Sequence, residues 1–269
     1  MKILSKKFEN VSLFFHNKKY REFIKLLFTY GRGERNKSVE INFLDYKVTV
    51  PDCLSFIFQF KEIFVKEYYC FKSKSVNPVI YDCGANIGIS VLYFKSLFKD
   101  AKLKAFEADK NIARILQENL KRNGINDAEI IPKAVWIDND GIEFALSGAD
   151  AGSIYGNHNK VAVESVRLRD LIEKEDYIDF LKMDIEGAEV NVIPDCSDVL
   201  YKIENLFIEF HSFTDYPQKL DSIISVLEKN NFRYFIKSEE NRKSPFINRN
   251  NPETPGMDLQ LNIFAYKQK

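Results

Sequence analysis

The densest chemistry in the chain lies in FLKMDIEGAEV, where Asp184, Glu186 and Glu189 follow a short apolar run. Like charges this close repel, so one of these acids is expected to hold its proton above the usual carboxylate range unless a cation sits among them. Glu189 reads as a cap for the helix that follows, which leaves Asp184 and Glu186 for function. Further on, IEFHSF carries Glu209 and His211 two positions apart, so both point to the same side of a strand. A neutral imidazole near pH 7 is a reasonable acceptor for a hydroxyl proton. Metal chemistry stays open beside acid–base chemistry: Asp184, Glu186, Glu209 and His211 offer oxygen and nitrogen ligands to a hard divalent cation, with Asp184, Glu209 and His211 as the central set. His16 and His158 have no acidic or nucleophilic neighbour pattern and read as structural.

A second stretch, VIYDCGANIGIS, sets two glycines after a β-branched run that ends in Asp82. Such turns between a strand and a helix usually hold nucleotides. Here Asn86 stands where a dinucleotide fingerprint has its middle glycine, and the Asp82 carboxylate would repel a pyrophosphate. No Gly-Lys-Ser/Thr follows, which excludes a P-loop. A cofactor with cationic groups and no phosphates fits better, and S-adenosylmethionine carries a sulfonium and an ammonium. Its carboxylate would meet the backbone N–H groups at the helix start. Glu107 closes the next strand in KAFEA and could accept both hydrogen bonds of a ribose diol.

The elements that must position these residues follow from periodicity. Residues 8–30 carry apolar residues at helical spacing, and SVEINFLDYKVTVPD alternates like a hairpin turning at LDY. LSFIFQFKEIFVKEYY reads as an apolar helix. These elements form an N-terminal cap over 1–75. From 76 to 269 strands alternate with helices, the pattern of an α/β fold with a mostly parallel, doubly wound sheet. The strand candidates are VIYD, LKAFEA, AEIIPKAVW, KVAVESV, IDFLKMD, NLFIEFH, FRYFIK and LQLNIFAY. Gly124 stops the helix before the third. IDNDG contains Asp-x-Asp, which could suggest a sugar-nucleotide transferase, but its closing glycine favours a hairpin turn. Residues 238–258 read as a long surface loop that could close over the site.

Composition excludes some classes. The chain has 269 residues, and its 39 basic residues balance 39 acidic ones, against the basic excess of a nucleic-acid binder. Lys6, Lys7, Lys18, Lys19, Arg21 and Lys25 form a modest cluster, read as a solvated helix face. Cys53, Cys70, Cys83 and Cys196 form no CxxC pair, as in a cytoplasmic protein with reduced thiols. No apolar run approaches the roughly 20 residues that span a bilayer, and no signal peptide is visible.

Taken together, YDCGANIGIS, AFEA, the KAV segment at 133–135, VRLRDLI and LKMDIEGAEV resemble the FkbM-type methyltransferases, a class I S-adenosylmethionine-dependent family. The resemblance covers roughly residues 60–212. It implies a Rossmann-like seven-stranded sheet whose last strand is antiparallel, with LQLNIFAY as that strand. It implies that Asp82, Gly84, Ala85, Asn86 and Gly88 line the methionine end of the cofactor, with Asp184 beside them. It places Glu107 and Ala108 at the ribose, Ala134 and Val135 against the adenine, and Asp184 and Glu186 by the transferring methyl. Cys83 departs from the aliphatic residue common there. The family mostly methylates hydroxyl oxygens, which implies a small-molecule or glycan acceptor, such as a sugar of a capsule or lipopolysaccharide precursor. A phosphate-like group or small natural product is an alternative acceptor. A dinucleotide-dependent oxidoreductase or epimerase and a non-catalytic binding module are the rivals of another class.

Overall fold

The computed structural model describes residue 15 and residues 17–147, 150–153, 160–238, 242–249 and 256–268. Helix α1 (Lys18–Tyr30) starts at Asn17, whose side chain accepts the Tyr20 N–H, and it buries Phe23 and Leu26. Strands β1 (Val39–Phe43) and β2 (Tyr46–Val50) form the expected hairpin, turning at Leu44 with φ of +47°. Asp52 caps α2 (Cys53–Phe60) by accepting the Ser55 N–H, and the helix runs on into a π-turn, Lys61–Val65. Phe43, on β1, is the hub of the aromatic packing in this region, with ring centroids 5.2 Å from Phe56, 5.5 Å from Phe60 and 5.7 Å from Phe64. These residues share one hydrophobic core with Ile80, Tyr93, Phe94, Phe180 and Phe207 of the following segments.

The remaining elements are β3 (Val79–Cys83), α3 (Ile89–Leu97), β4 (Lys102–Phe106), α4 (Lys110–Arg122), β5 (Glu129–Ile131), β6 (Ala134–Trp136), β7 (Ile142–Ser147), β8 (Asp150–Ser153), β9 (Lys160–Val163), β10 (Ser165–Arg167), α5 (Leu168–Lys174), β11 (Ile178–Met183), α6 (Glu189–Asp195), β12 (Ile203–Phe213), α7 (Leu220–Lys229), β13 (Phe232–Lys237) and β14 (Met257–Lys267). The main sheet has seven strands in the order β13-β14-β12-β11-β3-β4-β5. Its strands run parallel except β14, which pairs antiparallel with both β12 and β13. LQLNIFAY is thus the reversed strand expected from the sequence. β11 is buried on both faces, as a central parallel strand must be. The chain leaves β3 toward β4 on one side and leaves β11 toward β12 on the other. The order therefore reverses between β3 and β11, and a crevice opens beyond their carboxyl ends.

Three expectations differ. AEIIPKAVW is two strands, because Pro132 has no N–H to continue a ladder. β5 ends the main sheet, while β6 pairs with β10. KVAVESV likewise splits, with β9 joining a three-stranded sheet of order β8-β7-β9 and β10 joining β6, so none of it enters the main sheet. IDNDG is a bend rather than a hairpin turn, since the strands it links lie in different sheets. Asp138 accepts the Asp140 N–H there, and Gly141 has φ of +90°. Lys18, Lys19 and Lys25 of the basic cluster pair with Asp45, Glu67 and Glu22. Lys6, Lys7, His16, His158 and parts of the 238–258 loop lie outside the described residues, among which no helix is long and apolar enough to cross a membrane.

The glycines of the first turn answer to the chain itself. A Cβ on Gly84, at φ of +82°, would lie 1.8 Å from the Asp184 carbonyl oxygen, and one on Gly88, at +91°, would lie 2.5 Å from Leu116 Cδ1. Gly124 also has positive φ, of +76°, but its Cβ would meet nothing within 4 Å. Gly124→Ala is therefore expected to cost about 1 kcal/mol of backbone strain. Gly84→Ala adds an overlap of atoms and is expected to cost at least about 3 kcal/mol. Urea unfolding of the two variants checks this order, and equal losses would refute the close-approach account.

Candidate active site at the switch point

On the face of the sheet toward the cap, polar residues form a row across the central strands. Lys182 stands beside Asp82 in the β11–β3 register, Glu209 beside Asn262, and His211 beside Gln260 in the β12–β14 register. Lys182 is almost wholly buried. Its Nζ donates to the Gly84 carbonyl at 2.7 Å and lies 3.4 Å from Asp82 Oδ1 and 3.3 Å from Asp184 Oδ2. Burial works against its charge, but Asp184 and Asp82 outweigh burial and raise its pKa. Asp82 is fully buried, and its Oδ2 accepts the Ser90 hydroxyl. Burial raises its pKa against the pull of Lys182 and Ser90. Its Oδ1 has the ionic contact with Lys182 but, among the described residues, no hydrogen-bond donor.

The first loop is held from the next strand. Gly84 and Ala85 N–H groups donate to the Phe106 carbonyl at 3.0 and 2.9 Å. Asn86 occupies the left-handed region at φ of +47°, which its short side chain eases by accepting the Ile87 N–H at 2.7 Å. Glu107 Oε2 accepts the Asn86 N–H and its Oε1 accepts the Asp109 N–H, both at 2.9 Å. Burial still pushes Glu107 up to about 7, against those two hydrogen bonds. Ala108 is half-buried beside it, while Ala134 and Val135 are buried in β6.

The second loop follows β11. Glu186 has φ of +56° and Gly187 has φ of +100°. Glu189, expected to cap the next helix, instead closes this loop, with Oε1 accepting the Ile185 N–H and Oε2 the Gly187 N–H, both at 2.9 Å, and the helix start has no side-chain cap. Glu189 is fully buried rather than solvated, and its Oε1 lies 3.4 Å from His211 Nδ1. His211 Nε2 lies 3.7 Å from both Glu186 Oε2 and Glu209 Oε1. Burial opposes its charge, but Glu186, Glu189 and Glu209 together raise its pKa well above the ordinary value. The surrounding acids thus favour the charged form of His211, where the sequence reading expected a neutral imidazole. Burial also pushes Glu186 up to about 7 and Glu209 up to about 8, each against the pull of His211. Gln260 donates its amide to Glu209 Oε1.

The sequence reading missed Lys182, although LKMD holds the signal. A lysine inside a strand buried on both faces needs partners, and two positions before Asp184 it shares that residue's side. Around the crevice, Asp82, Asp184, Glu186, Glu189 and Glu209 face Lys182 and His211, so carboxylates outnumber cations. Such a site suits a cationic ligand. Each Glu107 oxygen accepts one bond and keeps a second lone pair, so a diol could still bind there. The residues present fit S-adenosylmethionine.

Residues 82–234 match the model of the methyltransferase FkbM domain, more than half of the chain. The chain belongs to the FkbM methyltransferase family. It is an S-adenosylmethionine-dependent methyltransferase. Its curated relatives include the methyltransferase sdnD of Sordaria araneosa, 27% identical over 56% of this chain and 73% of that protein. The 2-O-methyltransferase NoeI of Sinorhizobium fredii is 28% identical over 50% of this chain and 63% of its own length. The antimetabolite synthetase AmbE of Pseudomonas aeruginosa is 27% identical over 67% of this chain, which spans only 11% of that protein. A solved FkbM methyltransferase from Methylobacillus flagellatus aligns over 72% of this chain and 45% of its own, with 17% identity and a TM-score of 0.45.

Within this FkbM-family site, Lys182→Met strands Asp82 and Asp184 as buried carboxylates. It is expected to lower stability by about 3–5 kcal/mol, the range for breaking a buried ion pair from one side. Adding Asp82→Asn should recover part of the loss, and calorimetry of the single and double variants checks the coupling.

Proposed function

We propose that this FkbM-family enzyme transfers a methyl group to a hydroxyl oxygen of a sugar or glycan precursor, of the capsule or lipopolysaccharide kind, in the cytoplasm. The observation that carries this reading is the convergence of Asp184, Glu186 and Glu209 around His211 at the carboxyl edge of the sheet. A hydroxyl that becomes an ether must lose its proton, and positioned carboxylates can take it. The similarity to NoeI, a protein described as a 2-O-methyltransferase, points the same way. A small natural product is the second reading, favoured by the match to AmbE over 67% of this chain.

S-adenosylmethionine, when bound, supplies an electrophilic methyl group. The chain's own residues do the positioning, which is most of the work in a displacement of this type. Asp82, through Ser90 and Lys182, sets the loop formed by Gly84, Ala85, Asn86 and Gly88. Glu107 and Ala108 would hold the ribose, and Ala134 and Val135 would lie against the adenine. Asp184 and Glu186 border the reacting centre. His211 holds the acids in place, and Glu186 or Glu209 receives the hydroxyl proton. Residues 1–75 act as a cap on the methyltransferase domain of 76–269 and, with the 238–258 loop, exclude water and select the acceptor.

The test is a panel of nucleotide sugars and glycan fragments with methyl-labelled cofactor. Label in an ether oxygen of a sugar is expected, and label only in other acceptors would overturn the glycan reading. Glu107 gives a prediction specific to the cofactor. With its pKa near 7 it is about half protonated at pH 7. Two hydroxyl donors favour the ionised form, so cofactor binding should release up to about half a proton. Calorimetric binding enthalpy should then depend on the ionisation enthalpy of the buffer, and Glu107→Gln should remove that dependence. The raised pKa has a cost in the cofactor-free protein. Glu107 contributes stability below the unfolded pKa of about 4.5, and this is lost as pH rises to about 7.

A further inference from the structure

His211 uses only one of its ring nitrogens within the scaffold. Nδ1 faces Glu189 at 3.4 Å, and Glu189 is itself clamped by the Ile185 and Gly187 N–H groups at 2.9 Å. That clamp fixes the ring and aims Nε2 into the space between Glu186 and Glu209, at 3.7 Å from each. This spacing is too long for a hydrogen bond. Among the described residues Nε2 has no hydrogen-bond partner, although His211 is only 4% exposed. A nitrogen in ionic contact with two carboxylate oxygens but hydrogen-bonded to neither is arranged for a third party.

The spacing suits an ion. Asp184, Glu186 and His211 each offer one ligand atom, and the three atoms lie within 4.8 Å of one another. Donors around a transition-metal ion sit about 2.0–2.2 Å from it, so cis donors lie roughly 3 Å apart and trans donors about 4.4 Å apart. A small contraction brings this set to that geometry. A ligating histidine almost always gives its other ring N–H to a carboxylate, which is the place Glu189 holds. The charge also fits. Among the described residues these acids face Lys182 and His211, and a dication that replaces the imidazole proton adds positive charge beside them. Lys182 contacts Asp184 through Oδ2 and donates to the Gly84 carbonyl.

We propose that Asp184, Glu186 and His211 bind one divalent cation, with Glu209 at its edge. One nitrogen and two carboxylates suit manganese, iron(II) or zinc better than the all-oxygen preference of calcium or magnesium. The set differs from the one expected from the sequence, since Glu186 is a ligand and Glu209, already accepting the Gln260 amide, stands beside it. The ion would hold the acceptor hydroxyl next to the methyl donor. That role, unlike the site, rests on the O-methyl transfer reading.

The experiment titrates Mn²⁺ into the metal-stripped full chain without cofactor, followed by electron paramagnetic resonance and water-proton relaxation. One Mn²⁺ per chain is expected, with affinity reduced at least tenfold in Glu186→Gln and in His211→Gln. Glu173→Gln, on a surface helix far from the crevice, should bind like the wild type. Circular dichroism confirms that each variant is folded, and Glu186→Gln carries the test if the histidine variant is not. Absence of stoichiometric Mn²⁺, or equal affinity in folded Glu186→Gln, would overturn the site. A second arm measures methyl transfer with and without a chelator. Bound Mn²⁺ with transfer that ignores the chelator would overturn the acceptor-holding role. Bound Mn²⁺ in a protein that methylates no hydroxyl acceptor would overturn the functional reading while the site stands.

Discussion

The burial of one ammonium group organises this molecule. Lys182 sits in a strand with helices over both faces, where an unpaired charge would cost several kcal/mol. It is tolerated because Asp82 comes from one neighbouring strand end, Asp184 from its own, and the Gly84 carbonyl from the turn between. The same arrangement brings the Asp184 carbonyl so near Gly84 that no side chain fits there. The loops after β3 and β11 are therefore one object. Neither can shift without exposing a buried charge or opening a backbone contact, and a site that must hold two reactants in line benefits from that rigidity.

Beyond Lys182 the electrostatics run to a surplus of acid. His211 is embraced by Glu186, Glu189 and Glu209, from one loop, the start of the next helix and its own strand. Burial keeps the protons of Glu186 and Glu209 near neutral pH rather than in the usual carboxylate range. An edge built this way gains in negative charge when a cation enters, because these acids then ionise and their carboxylates can accept protons. Both properties serve a reaction in which a sulfonium loses its charge and a hydroxyl loses its proton.

Much of this was legible in the sequence, for a physical reason. Asp82, Glu107, Asp184 and His211 each stand at or just beyond the carboxyl end of a short apolar run, and parallel strands deliver such positions to one edge. The strand and helix alternation therefore gave the sheet, and the reversed LQLNIFAY completed it. What stayed hidden depends on side chains far apart in the chain. The raised pKa of His211 follows from three acids lying 2 to 25 residues away, and no local pattern reveals their convergence. KVAVESV misled because a strand alternates in the same way whether it joins a large sheet or a small one. That Gly84 and Gly88 are also required by the close approach of Asp184 and Leu116 depends on partners far along the chain.

The aromatic richness of the chain belongs to the same account. On β11 the residue two positions before Lys182 is Phe180, and on β12 the residue two before Glu209 is Phe207, each on the same face as the charged group. Tyr69, from the segment after the π-turn, packs its ring 4.9 Å from Phe207 and 6.3 Å from Phe180. Burial and then the charges of Asp184 and Glu209 hold its phenol well above the ordinary pKa, so it stays neutral beneath the acids. Tyr69 and the strands thus lay an aromatic floor under the charged row. Charges on such a floor are less screened than charges in solvent, so Lys182 and His211 pull harder on their partners. The residues before the main sheet are therefore tied to the charged row through the core they share with it.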